Sequence, residues 1–379
     1  MPNSIPDPWG FSNKKYQSSN MDIELLKKEI GSYFPFYENK FEKNVAVFFC
    51  RIDNETLEQN FDDLRISLSK KGYIPMLRYQ KGEHLIYVIK KPKLKTRPVW
   101  INALLFILTM FTTTLAGSIQ WASIKNTGDF ILTDIFKTNF LIDGFLYFSV
   151  PLMLILGIHE MGHYYASKKH NLDSSLPFFI PLPPPFILGT FGALISTREP
   201  IPDRKTLLDV GIAGPLCGFL VAIPIALFGF YFMQISPIYY QGTGESITIV
   251  YPLILEGLNS FFSIPNNTIM HPTFFAGWVG LFLTSVQLLP VGQLDGGHVA
   301  RALLKEKSKY LGYIVIVIVL ILGLFYTGWL FLAFIILFLI GTSHQPPLNE
   351  YSKLNNTRKI LAIIGFIIFL ICFAPIPMQ

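Results

Sequence analysis

Two long runs without a charge most tightly limit what this chain can fold into. Pro98 to Ile124 is 27 residues with no Asp, Glu, Lys or Arg, and Tyr310 to Ser343 is 34. A bilayer's hydrocarbon core is about 30 Å thick and takes roughly 20 apolar residues of helix. The first run reads as a membrane helix entered through Lys90, Lys91, Lys93, Lys95 and Arg97. The second would reach about 51 Å as one helix, and both of its flanks are basic. It therefore reads as two short spans turning near Thr327-Gly328. Other spans cover about Gly144 to Ser167, Thr206 to Met233, Ala276 to Leu294 and Ile360 to Phe373, which makes seven. At 51% hydrophobic and 15% charged, the composition excludes an ordinary soluble protein. The net charge of +6 lies beside the apolar runs, so it orients the chain in a bilayer and gives no sign of nucleic-acid binding. The positive-inside rule puts the N-terminal domain and the Lys168-Lys169 end of the second span in the cytoplasm. A multi-pass protein of the cell membrane is expected.

That second span carries the chemistry. Between Gly144 and Ser167 the only acidic or basic side chains are His159, Glu160 and His163, in the stretch Gly157-Ile158-His159-Glu160-Met161-Gly162-His163. On a helix, His159 and His163 stack on one face, at the spacing that lets two imidazoles share a zinc ion. Glu160 is turned about a quarter-circle away, within reach of a metal-bound water. Ionisable groups at mid-membrane cost roughly 2.5–3.5 kcal/mol each on insertion scales, so three in five residues mark a functional site. Gly157 and Gly162 are expected to let a neighbouring element approach.

The rest of the chain frames this span. Residues 1–20 are polar, rich in Pro, Asn and Ser, show no signal-peptide pattern and are expected to be disordered. Residues 21–97 read as a small cytoplasmic α/β domain with the order α-β-α-β-β. Within it, Leu57, Phe61, Leu64 and Leu68 give a helical stripe, and Tyr73–Tyr79 and His84–Ile89 give a hairpin. Residues 98–379 form the transmembrane domain. Leu176 to Gly189 is too Pro-rich for a helix and too apolar for a solvated loop, so it reads as an extended membrane-associated segment. Thr190 to Thr197 follows as a strand with an open edge. Cys50, Cys217 and Cys372 are too far apart for a C-x-x-C site and give no disulfide framework.

A catalytic zinc takes three protein ligands and keeps one position for water. Asp295, at the inner end of the fourth span and at a depth similar to His159, is the leading third ligand. Two other readings stand beside it: Asp295 caps a helix or pairs with Arg301, and His298 ligates instead. Gln287, eight residues before Asp295, is a candidate oxyanion or substrate-binding donor, or else a helix-packing hydrogen bond. His170, His271 and His344 are left outside the site.

Three ordered motifs then resemble one family. H-E-M-G-H at 159–163, G-I-A-G-P-L-C-G-F at 211–219 and L-L-P-V-G-Q-L-D-G-G-H at 288–298 look like the site-2 protease family of intramembrane zinc metalloproteases. Tyr326-Thr-Gly-Trp329 and His344-Gln-Pro-Pro347 extend the likeness over nearly all of residues 98–378. The branch with an N-terminal soluble domain is the most similar. The resemblance implies one Zn2+ held by His159, His163 and Asp295, with Glu160 as general base. It also implies cleavage within the transmembrane helix of a single-span membrane-protein substrate, and substrate binding along the Pro-rich segment and its strand. Gln287 stands where the family commonly has Asn. A zinc-stabilised membrane scaffold that binds helices without cutting them is the alternative. A metal transporter is a third reading, but it needs polar residues that spans one and five to seven do not offer.

Overall fold

Helix α1 (Ile23–Tyr33) is capped by Asp22, whose carboxylate accepts from the Leu25 backbone N–H. The computed structural model describes residues 21–42, 45–53, 55–80, 82–91, 98–125, 135–239, 248–342 and 344–378. The expected disordered terminus and the basic linker 92–97 lie outside them. The described residues divide into two units, one holding residues 21–91 with 200–205 and 345–354, the other the remainder.

In the first unit, Leu26 and Ile30 of α1 share a core with Leu57, Phe61, Leu64 and Leu68 of α2 (Leu57–Lys70). That is the stripe read from the sequence. The helices accompany an antiparallel sheet of β1 (Phe36–Glu42), β2 (Val45–Cys50), β3 (Tyr73–Gln80) and β4 (Glu83–Lys90), ordered β1-β2-β4-β3. The element order is thus α-β-β-α-β-β, one strand more than expected. β1 has no clear sequence signal because an edge strand pairs on one side only and its other edge favours charge. Phe-Tyr-Glu-Asn-Lys-Phe-Glu therefore shows no apolar run, although Phe36 and Phe41 both pack edge-on to Phe48, at 5.2 and 5.8 Å between ring centres.

The outer edge of β3 is covered by chain from far downstream. The Leu77 N–H donates to the Leu348 carbonyl at 2.9 Å. Buried Arg78 donates from Nη1 to the carbonyls of Pro347 and Leu348, at 3.1 and 3.3 Å. Leu348 and Asn349 in turn donate to Ile201 and Pro202 at 2.9 and 2.8 Å. Pro75 fits β3 because it shares the outward hydrogen-bonding side of Leu77, so its missing N–H leaves the β4 ladder intact. Cys50 is buried in this core, and burial pushes its thiol up to about 12. Iodoacetamide at pH 8 is expected to leave Cys50 unmodified in the folded protein and to label it fully in urea, as read by peptide mass mapping. Equal labelling in both states would contradict the packing of β2.

The second unit is helical. Helix α3 (Val99–Lys125) is followed by α4 (Thr138–Gly144), which runs through a π-helical turn at Phe145–Ser149 into α5 (Val150–Lys169). Helix α6 (Arg204–Ile235) keeps Pro215 and Pro224 inside it. Among the described residues, three helices, Val99–Lys125, Thr138–Lys169 and Arg204–Ile235, are long and apolar enough to cross a membrane. After α7 (Leu253–Asn259), the other four expected spans fall on shorter helices. These are α8 (Pro272–Gln287), α10 (Ser308–Leu322), α11 (Gly328–Ile335) and α12 (Asn356–Cys372), of 16, 15, 8 and 17 residues. The turn expected inside the run 310–343 lies between Leu322 and Gly328.

The fourth expected span departs most from the reading. It stops at Gln287, and residues 288–294 form a turn, since Pro290 offers no N–H and Gly292 takes a φ of +56°. Asp295 therefore opens a new helix, α9 (Asp295–Leu304), instead of ending a span. The Pro-rich segment folds as a hairpin of β5 (Phe178–Pro181) and β6 (Thr190–Leu194). Helix α3 grips both of its ends. Asn102 donates to the Leu176 and Pro177 carbonyls, each at 2.9 Å, and Thr112 donates to the Gly189 carbonyl at 2.7 Å.

Candidate metal centre

Helix α5 presents His159 and His163 one turn apart on its buried face, and α9 brings Asp295 to them. The two Nε2 atoms are 3.1 Å apart, and Asp295 Oδ2 lies 3.3 Å from that of His159 and 3.2 Å from that of His163. Zinc bonds of about 2.0–2.1 Å in a tetrahedron put neighbouring ligand atoms about 3.3 Å from one another. His163 Nδ1 donates to the Val210 carbonyl of α6 at 2.7 Å, which leaves Nε2 with its lone pair. Asp295 Oδ2 is buried with no donor aligned on it. Two imidazole nitrogens and a carboxylate oxygen thus converge on one point, an arrangement that fits zinc by donor type and by spacing. Among the described residues, His159, His163 and Asp295 are the group arranged to hold a metal. Glu160 is buried on the next position of α5.

The approach of α5 to α6 is set by missing side chains. A Cβ on Gly214 would strike the His163 ring, and one on Gly218 would lie 3.0 Å from His159 Nδ1. A Cβ on Gly211 would lie 2.6 Å from that of His298. Three glycines at positions i, i+3 and i+7 therefore form one groove beneath three imidazoles. Gly162 answers from α5, where a Cβ would sit 2.7 Å from the Ala213 carbonyl oxygen. Gly157 does not play the part expected of it, since a Cβ placed there would meet nothing within 4 Å. The α8–α9 turn is equally tight. Gly296 lies against the Leu288 carbonyl, and a Cβ on Gly297 would crowd the carbonyls of Gly292 and Val291.

Other residues singled out in the sequence lie outside the trio. Gln287 is the half-buried last residue of α8. His298 is outside the ligand trio; its Nδ1 faces the Leu294 carbonyl at 3.1 Å and its ring meets His344 at 4.3 Å between centres. His271 caps α8 and is ringed by Trp121, Tyr147 and Phe232. Sequence reasoning did not find the Val210 carbonyl, because a backbone acceptor has no residue-type signature.

An H-E-x-x-H helix joined by an aspartate from a second helix, inside an apolar helical unit, is a metallopeptidase arrangement. Comparison narrows the class. The model of Peptidase family M50 matches residues 147–325, and this match supports the likeness to the site-2 protease family. It is 27% identical over 250 residues to the "Probable zinc metalloprotease EGY1, chloroplastic" of Arabidopsis thaliana, covering 62% of this chain and 44% of that protein. The protein of the same name from Oryza sativa subsp. japonica is 31% identical over 232 residues, 58% of this chain and 38% of its own length. The "Probable zinc metalloprotease EGY2, chloroplastic" of Oryza sativa subsp. indica is 25% identical over 300 residues, 76% of this chain and 52% of that protein. The chain thus spans about half the length, or less, of these curated relatives. No solved structure matches it.

Proposed function

We propose that the chain is an intramembrane zinc metalloendopeptidase that hydrolyses peptide bonds within the transmembrane helices of single-span membrane proteins. The observation that carries this reading is the ligand trio at tetrahedral spacing with Glu160 beside it, buried among apolar helices. His159, His163 and Asp295 would hold one zinc ion per chain. Zinc bound there supplies polarisation of the scissile carbonyl and a more acidic water. Glu160 takes the proton of the attacking water and returns it to the leaving amine. Val210 keeps the His163 imidazole turned toward the ligand point, and Gln287 serves as the side-chain donor to the developing oxyanion. The β5–β6 hairpin, held by Asn102 and Thr112, offers the backbone along which an unwound substrate adds. In this reading the short helices α8, α10, α11 and α12 complete seven spans, in a cell membrane whose cytoplasmic side carries residues 21–97.

The test is cleavage of a panel of single-span substrates in detergent by the purified protein, with zinc measured alongside. Cuts inside the membrane segment are expected, with loss of cutting on treatment with 1,10-phenanthroline and recovery on added zinc. A protein that holds one zinc per chain and leaves every substrate intact would count against the peptidase reading.

A further inference from the structure

Below the metal trio, three helix ends meet on one carboxylate. Asp209 of α6 accepts from Arg358 of α12 through both guanidinium arms, Nε to Oδ1 at 2.9 Å and Nη2 to Oδ2 at 2.6 Å. His170, the residue that ends α5, donates from Nε2 to Oδ2 of the same carboxylate at 2.9 Å. Its Nδ1 meets the Thr206 hydroxyl at 3.2 Å. All three ionisable side chains are about one-fifth exposed, so the cluster is largely shielded from water.

The position of this cluster gives it a role. His170 follows His159 by 11 residues, about three full turns of helix, so it lies on the same face of α5 as the ligands. Asp209 directly precedes Val210, whose carbonyl holds His163 Nδ1. Helices α5 and α6 are thus joined along one seam at two heights, once at the ligand and once at the clasp. A helix rises 1.5 Å and turns about 100° per residue. Any slip or rotation of α6 at Asp209 therefore carries the Val210 carbonyl off the imidazole. A bidentate guanidinium resists rotation in a way a single contact does not. Helix α12 has a second hold on α6 further along, where Gly365 lies against Ile212.

We infer that Arg358, Asp209 and His170 are positioning residues for the metal centre: the clasp fixes the register of α6 on α5 and so keeps His163 oriented for zinc. This rests on the metal reading above, and the test separates the two. Zinc affinity is measured by chelator competition for the full chain and for Arg358→Met, Asp209→Asn and the double variant. The visible spectrum of the cobalt-substituted protein and the melting temperature are recorded for each. A partner that hydrogen-bonds a metal ligand directly, as the Val210 carbonyl does, typically changes metal affinity 10- to 100-fold, and the clasp acts through that carbonyl. Each single variant is expected to bind zinc about tenfold more weakly with a shifted cobalt band. The double variant should be no weaker than Asp209→Asn, since both act on one clasp. Arg198→Met, which breaks the Arg198–Asp173 pair elsewhere in the same unit, should leave zinc affinity unchanged. If Arg358→Met does not fold, Arg358→Lys keeps the charge without the fork and serves the same readout. Zinc affinity and cobalt spectrum equal to the parent, even with a lower melting temperature, would overturn the inference. Zinc retained by His163→Ala would instead overturn the metal reading itself.

Discussion

Glu160→Gln is expected to lower substrate cleavage by a factor on the order of 10³ while the protein keeps one zinc per chain. General acid–base catalysis by a positioned side chain contributes roughly 10²–10⁴-fold. Gln has nearly the same volume as Glu but cannot accept the proton of the attacking water. Glu160 is buried on α5 outside the candidate ligand trio, so the substitution removes the proposed base and leaves His159, His163 and Asp295 untouched. Zinc content and cleavage measured on the same preparation check both halves. Cleavage at the parent rate would remove Glu160 from the chemistry. A parent that holds zinc and binds single-span helices as tightly as the variant, with neither cutting, would favour the scaffold reading.

Gly214→Ala is expected to empty the metal centre. An added Cβ would lie 2.5 Å from His163 Cδ2 and 2.6 Å from Cε1, and closer still to Nε2. The ring is tied to Val210 on its other side at 2.7 Å, so it cannot swing away and keep its Nε2 on the ligand point. Overpacking of this kind costs about 1–3 kcal/mol of stability. Zinc per chain should fall from one to well below a tenth, with a lower melting temperature. Gly157→Ala on the neighbouring helix is the matched control. Nothing lies within 4 Å of the added methyl there, and replacing a mid-helix glycine gains up to about 1 kcal/mol. It should keep its zinc and melt no lower than the parent. Equal zinc retention by the two variants would contradict the groove on α6.

The centre is largely legible in the sequence because its grammar is local. The spacing of His159 and His163 is a property of one helix, and Asp295 stands out as a lone carboxylate in an apolar stretch. What lies beyond reach is set by partners distant in the chain. Gly211, Gly214 and Gly218 stand in the 211–219 motif, yet nothing local says that imidazoles fill the space they leave. His170 reads as a polar residue after two lysines, and only the return of α12 with Arg358 gives it a role. The end of α8 at Gln287 is hidden because an apolar composition favours continuing a span, whereas Pro290 and Gly292 impose a turn that hydropathy does not register. The strand β1 is masked by the charges that protect a sheet edge.

The pairing of Leu77 with Leu348 has a consequence for how the protein is made. Arg78 and the carbonyl it holds are 270 residues apart in the chain. A ribosome will have released α1, α2 and all four strands of the first sheet long before residues 345–354 exist. The outer edge of β3 therefore waits, with its Leu77 N–H and the Arg78 guanidinium unmet by Leu348, while most of the membrane unit is synthesised. Contacts of such high sequence separation form late and slowly. The first sheet is thus finished only once residues 345–354 have been made, after most of the second unit.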